Sequence, residues 1–269
     1  MKKWLQLSGL MMVLFACKKE FPELTTEVYG HAGESLFTSR SKYPPNTLES
    51  IDYAINELGA DGVEVDVQMT ADNVLVLFHD LELDEQTKTA GCINDKLYNE
   101  VKEIKVYNSD IKIPLLKEAL DLALNVNRKI MLDVKHYNSC EEKKMDYTDF
   151  NAALQLLFSD IPDAKKELIT VNCRDIQLLT AVTDTIVKKS FESDDYDTAI
   201  PLILSHKLEM LCTKLNSITT EARDQLKSNG IDLALYNLRT RSEVNRALEF
   251  APEFVISDNI KYTLKALNG

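Results

Sequence analysis

Glycine is scarce in this chain, eight in 269 residues. No Gly-rich phosphate turn follows the first apolar run, Val28-Tyr29-Gly30, which counts against an open doubly wound nucleotide-binding sheet. The five cysteines are far apart with no CxxC pair, so neither a zinc site nor a redox dithiol is indicated. Positive charge is also short: 31 Lys and Arg stand against 43 Asp and Glu, a net charge of −12. So acidic a chain repels a phosphate backbone, which excludes nucleic acid as the expected partner. A small phosphorylated ligand could be held only where the sign is reversed locally, as a bound divalent cation does. No low-complexity tract or Pro/Gly-rich linker divides residues 28–269, so a single large domain is expected there. The longest N-terminal apolar run, Trp4 to Phe15, is too short to span a membrane as a helix.

That run has another reading. Lys2 and Lys3 precede it, and Leu14-Phe15-Ala16-Cys17 closes it. Basic start, apolar stretch and small residue at a cut form a signal-peptide pattern. A cysteine directly after the small residue resembles the lipobox of bacterial lipoproteins. Residues 1–16 are therefore expected to be a leader and Cys17 a lipidated N-terminus. Residues 17–27 would be a polar tether, and the protein would be exported and membrane-anchored, facing the periplasm or the cell surface. A plain secretory leader with a chance cysteine is the alternative. The other four cysteines allow three pairings. Cys173 and Cys212 lie in or beside apolar runs and read as buried free thiols.

Short β-branched runs alternate with helical patterns along the rest of the chain. The strand candidates are 28–31, 62–67, 129–134, 168–172, 185–190, 209–215, 232–236 and 254–257. Helical patterns fall near 47–58, 115–126, 148–158, 175–182, 194–202, 217–228, 240–250 and 260–268. Eight such units predict a parallel sheet closed as a (β/α)8 TIM barrel. Residues 81–113 are irregular and long for a connection, so an excursion over the barrel mouth is expected. The acidic run 191–197 reads as a solvated loop or helix start.

In such a barrel the chemistry sits where strands end. The first strand ends in His31. The second reads Val63-Glu64-Val65-Asp66-Val67, and alternation puts both carboxylates on one face. Two buried carboxylates repel and lose solvation, so something must compensate. A hard cation with oxygen ligands is one answer, and a Lys or Arg partner is the other. A further apolar run, Val74 to Phe78, leads into His79-Asp80. The 129–134 strand ends in Asp133-Val134-Lys135, where Asp133 could be a third ligand and Lys135 could hold a phosphate oxygen. His136 and His206 read as surface and structural residues. Asn172 and Asn237, at strand ends, are candidate pocket residues.

Taken in order, His31-Ala32-Gly33, Pro44-Pro45-Asn46-Thr47, Gly59-Ala60-Asp61, Glu64-Val65-Asp66, Thr70-Ala71-Asp72, His79-Asp80 and Asp133-Val134-Lys135 resemble the glycerophosphodiester phosphodiesterase family. Leu235-Tyr236-Asn237 and Ile256-Ser257-Asp258 resemble altered forms of its closing motifs. The resemblance covers residues 28–260 and is strongest over 31–80. It implies a (β/α)8 barrel and one divalent cation, Ca²⁺ or Mg²⁺, on Glu64, Asp66 and Asp133. It also implies His31 and His79 as the acid/base pair and a small glycerophosphodiester as substrate. Imidazole suits proton transfer near neutrality. Three positions depart from the family pattern. Ala32 replaces an arginine, Pro45 a glutamate, and Asp133 a longer acid. His31-Ala32-Gly33 with Tyr43-Pro44-Pro45-Asn46 is closer to a divergent branch reading H-A-G. Lys135, Arg40 or Lys42 could supply the missing charge. Two other outcomes stay open on the residues alone: a metal-independent phosphatidylinositol-cleaving lyase, in which Glu64 pairs with a basic residue, and a lipoprotein that binds a phosphorylated ligand without turnover.

Overall fold

The computed structural model describes residues 26–37, 39, 41–137, 140 and 145–268. The leader, Cys17 and most of the tether lie outside them, as does Arg40. Eight parallel strands close into a ring: β1 (Glu27–Gly30), β2 (Gly62–Met69), β4 (Lys129–Val134), β5 (Ile169–Cys173), β6 (Lys188–Glu192), β7 (Met210–Lys214), β8 (Asp232–Leu238) and β9 (Phe254–Ser257). The register Tyr29↔Ile256 and Gly30↔Val63 seals the ring on both sides of β1. Each predicted strand is present. The run 75–77 forms β3 (Leu75–Leu77), antiparallel to β2 and outside the ring.

Alternation sorts the side chains. Val63, Val65, Val67, Ile130, Leu132, Val171, Leu233 and Val255 face outward and bury against the helices. That layer forms because the longer helices between strands offer apolar stripes, as Leu116, Ala119, Leu120, Ala123 and Leu124 do in Leu116–Asn125. The opposite strand face fills the barrel. Tyr29, stacked on Phe254 at 4.2 Å, packs with Met131, Met210, Cys212, Ala234 and Ile256. Glu64, Asp66, Asp133, Asn172 and Glu192 share the same cavity nearer the C-terminal strand ends.

The excursion has its own small core of Val76, Phe78, Leu83, Ile93, Val101, Ile104, Val106 and Ile113. A Cys92–Cys140 disulfide ties it to the segment after β4. Cys173 and Cys212 are free and buried, as their apolar settings suggested.

Candidate active site

His31, Glu64, Asp66, His79, Asp133 and Lys135 line one cavity of about 550 Å³ at the strand ends. Glu64 and Asp66 come from β2, Asp133 from β4, and the register Asp66↔Asp133 puts the two aspartates side by side. One oxygen from each of Glu64, Asp66 and Asp133 lies within 4.8 Å of the others.

Local turns hold the carboxylates. Ala32 and Gly33 take left-handed backbone angles, φ +51° and +95°. A Cβ at Gly33 would sit 2.6 Å from Ser50 Oγ, so this turn demands glycine. The turn aims the Ala32 N–H at Glu64 Oε2, 2.9 Å away. Asn46 donates from Nδ2 to Asp66 Oδ2 at 2.7 Å and accepts from the Asp66 N–H at 2.9 Å. These bonds are made at buried groups, where an unmet partner is costly.

Both imidazoles are held through Nδ1. Asp258 Oδ1 is 3.1 Å from His31 Nδ1 and also accepts from Ser35 Oγ and the Leu36 N–H. Asp80 Oδ1 is 2.6 Å from His79 Nδ1. Gln68, buried on β2, donates to the carbonyls of Phe78 and Asp80, and Gln86 donates to Asp80 Oδ2. Such anchoring leaves Nε2 of each ring for proton transfer. His31 Nε2 is 4.0 Å from Glu64 Oε2.

Lys135 Nζ bridges Asp66 Oδ1 at 2.7 Å and Asp133 Oδ2 at 2.6 Å. The lysine partner weighed for the acid pair is therefore real for these two residues. It does not extend to Glu64, which has no Lys or Arg partner among the described residues. Burial and the Asp66 charge push Glu64 up to about 8. Asp66 is held far below the usual carboxylate range, because Lys135 and His79 outweigh its burial. Burial pulls His31 down, but Asp258, Glu64 and Asp66 bring it to about 9. His79 is also raised, Asp66 and Asp80 overcoming its burial. The cluster thus sets three carboxyl groups around one lysine, with the two imidazoles at its edge.

The three converging carboxyl oxygens fit a hard divalent cation, for which an all-carboxylate set is the suited chemistry. Asn172 adds to the fit. Its Nδ2 donates to Asp133 Oδ1 at 2.9 Å, and its buried Oδ1 has no partner among the described residues.

The profile of the Glycerophosphoryl diester phosphodiesterase family matches residues 39–262. The chain belongs to this family. It is a phosphodiesterase with a (β/α)8 barrel. Bacillus altitudinis glycerophosphodiester phosphodiesterase is 29% identical over 188 residues, 65% of this chain and 73% of that one. An uncharacterized Bacillus subtilis protein, YqiK, is 27% identical over 246 residues, covering 87% and 95%. Among solved structures, an Oleispira antarctica phosphodiesterase in complex with the product sn-glycerol-3-phosphate superposes with a TM-score of 0.75 at 18% identity, covering 90% of this chain and 97% of that one.

Within this family the departures acquire a structural meaning. Ala32 is fully buried, does not line the cavity, and contributes its N–H. Lys42 lies over the rings of Tyr43 and Tyr53 and does not line the cavity either. Of the substitute cations, Lys135 alone is seen at the carboxylates among the described residues.

The structure corrects some of the sequence expectations and bears out others. His136 is not a plain surface residue: it lines the cavity, with Nδ1 3.6 Å from Cys173 Sγ. Asn172 and Asn237 both line it. His206 stays on the outer surface, bonded to its own helix. The acidic run 191–197 is only partly solvated. Asp195 caps Tyr196–His206, but Glu192 is buried at the end of β6. Arg174, Lys214, Tyr236 and Arg239 also line the cavity, and neither motif nor strand ending marked them as a group. Asp258 was legible only as part of an altered closing motif.

Proposed function

We propose that this phosphodiesterase hydrolyses glycerophosphodiesters, the deacylated head groups of phospholipids, with one divalent cation and two histidines. The observation that carries this is the three-carboxylate cluster flanked by two imidazoles, each tethered at Nδ1 to its own carboxylate. Glu64, Asp66 and Asp133 would hold Ca²⁺ or Mg²⁺. When bound, the cation supplies Lewis-acid polarisation of the phosphoryl oxygen. One imidazole takes the proton of the attacking oxygen, whether water or a neighbouring substrate hydroxyl. The other protonates the departing alkoxide. Lys135, already inside the cluster, supplies positive charge to a phosphate oxygen. Glu64 without a lysine or arginine partner weighs against the metal-independent lyase arrangement.

The test is turnover of glycerophosphodiesters by purified protein with added Ca²⁺, Mg²⁺ or Mn²⁺ and then with chelator. Turnover is expected with metal and lost on chelation. His31→Ala and His79→Ala are each expected to lower kcat by roughly 10²–10⁴. Turnover that persists through chelation, or through either histidine change, refutes the mechanism.

The reading includes export and anchoring through Cys17. The Cys92–Cys140 disulfide supports the export part of it, since structural disulfides belong to oxidising compartments.

A further inference from the structure

Half of the cavity takes no part in the chemistry above. The reacting groups come from β1, β2, the turn after β3, and β4. The facing wall comes from the ends of β5 to β8 and carries Arg174, Glu192, Lys214, Tyr236 and Arg239. The Glu192 carboxylate is fully engaged within the wall. Its Oε1 accepts from Arg174 Nε at 2.8 Å, Arg174 Nη2 at 2.6 Å and Tyr236 Oη at 2.7 Å. Its Oε2 accepts from Asn172 Nδ2 at 3.2 Å. The Tyr236 hydroxyl both donates to Glu192 and accepts from Arg174. The wall's acceptors are therefore turned inward.

Its donors are not. Arg174 is about half exposed, and among the described residues its Nη1 makes no hydrogen bond. Lys214 Nζ spends one donor on Asp194 Oδ2, at 2.8 Å, and keeps the others. Asp194 does not line the cavity. Three cations stand here against two carboxylates. A guanidinium with a free pair of N–H groups matches a phosphate or carboxylate and repels an ammonium.

We propose that Arg174 and Lys214 form a second anion subsite, which selects diesters whose alcohol arm carries a further anionic group over those ending in a quaternary ammonium. This rests on the hydrolytic reading for its kinetic form, and its binding form stands separately. Asn172 links the two halves directly, bonding Asp133 on one side and Glu192 on the other.

The experiment compares kcat/KM for bis(glycerophosphoryl)glycerol, which bears a second phosphate, with glycerophosphocholine. It is run on wild type, Arg174→Gln and Lys214→Gln. A charge-assisted pair predicts roughly a 10- to 100-fold preference for the doubly charged substrate in wild type. The ratio should fall toward one in both variants. Calorimetry of glycerol bisphosphate against glycerol 3-phosphate gives the same comparison without turnover. Tighter binding of the bisphosphate in wild type, lost in the variants, supports the subsite even if neither diester is hydrolysed, an outcome that would instead overturn the catalytic reading. Equal binding of the two ligands, a choline preference, or a ratio unchanged in both variants overturns the subsite. Lys214→Gln guards against misfolding, because Lys214 is 41% exposed and holds no buried group.

Discussion

Asp258 and Asp80 do the same work for different histidines. Each accepts at Nδ1 and so fixes which ring nitrogen can move a proton. Asp258 is the more deeply buried of the two and gathers three donors on one oxygen. Asp258→Asn keeps the shape but removes the charge that holds His31 at about 9. The imidazole pKa must then fall. We expect kcat lower by roughly 10²-fold with little change in KM, and the limb of the pH profile owed to His31 displaced to lower pH. A pH–rate profile of the variant checks this, and an unmoved limb would show that Asp258 is only structural. At this scale the sequence was readable where chemistry is written into consecutive residues, as in Glu64-Val65-Asp66 and His79-Asp80. It was silent where partners meet only in space. Gln68 holds the carbonyls of Phe78 and Asp80 from a strand face that alternation alone marks as simply buried.

Strand ends were the weaker part of the element reading. A strand is expected over 185–190, but β6 occupies 188–192, starting three residues later and ending two later. That shift carries Glu192 from an expected acidic loop into the barrel. The cause is composition: Lys-Lys-Ser-Phe-Glu has little apolar periodicity, and pairing with β5 and β7 decides its limits. The excursion was legible as irregular but not as a folded unit. Its core of eight buried side chains and its disulfide both depend on distant partners. The disulfide spans 48 residues, and in the chain-entropy picture such a link is worth roughly 2–4 kcal/mol. Replacing Cys92 and Cys140 together by serine should lower the urea midpoint accordingly. Dithiothreitol should lower the wild-type midpoint by a similar amount and leave the double variant unchanged. No change in either case would show that the link bears no load in the folded protein.

For the whole molecule, (β/α)8 closure followed from counting eight alternating units, and the family profile over 39–262 agrees with it. Net charge of −12 sets the problem the active site solves: anionic substrates must enter an acidic protein. Lys135, Arg174, Lys214 and Arg239 place positive charge inside the cavity. Anchoring is tested at the same scale. With Cys17→Ala the exported protein should move from the membrane fraction to the soluble fraction, and retention in the membrane would rule out a lipid anchor at that residue. The ring also imposes an order of events. A ribosome delivers Glu64, Asp66 and Asp133 early, on strands that pair with each other. The carboxylate that steadies His31 arrives 227 residues after it, just beyond the strand that docks last against β1. The three carboxylates of the proposed cation site thus sit on neighbouring early strands, while the first histidine depends on the far end of the chain. His31 therefore meets its Nδ1 partner only where β9 closes the ring against β1, so any loosening of that seam should be felt first at this histidine.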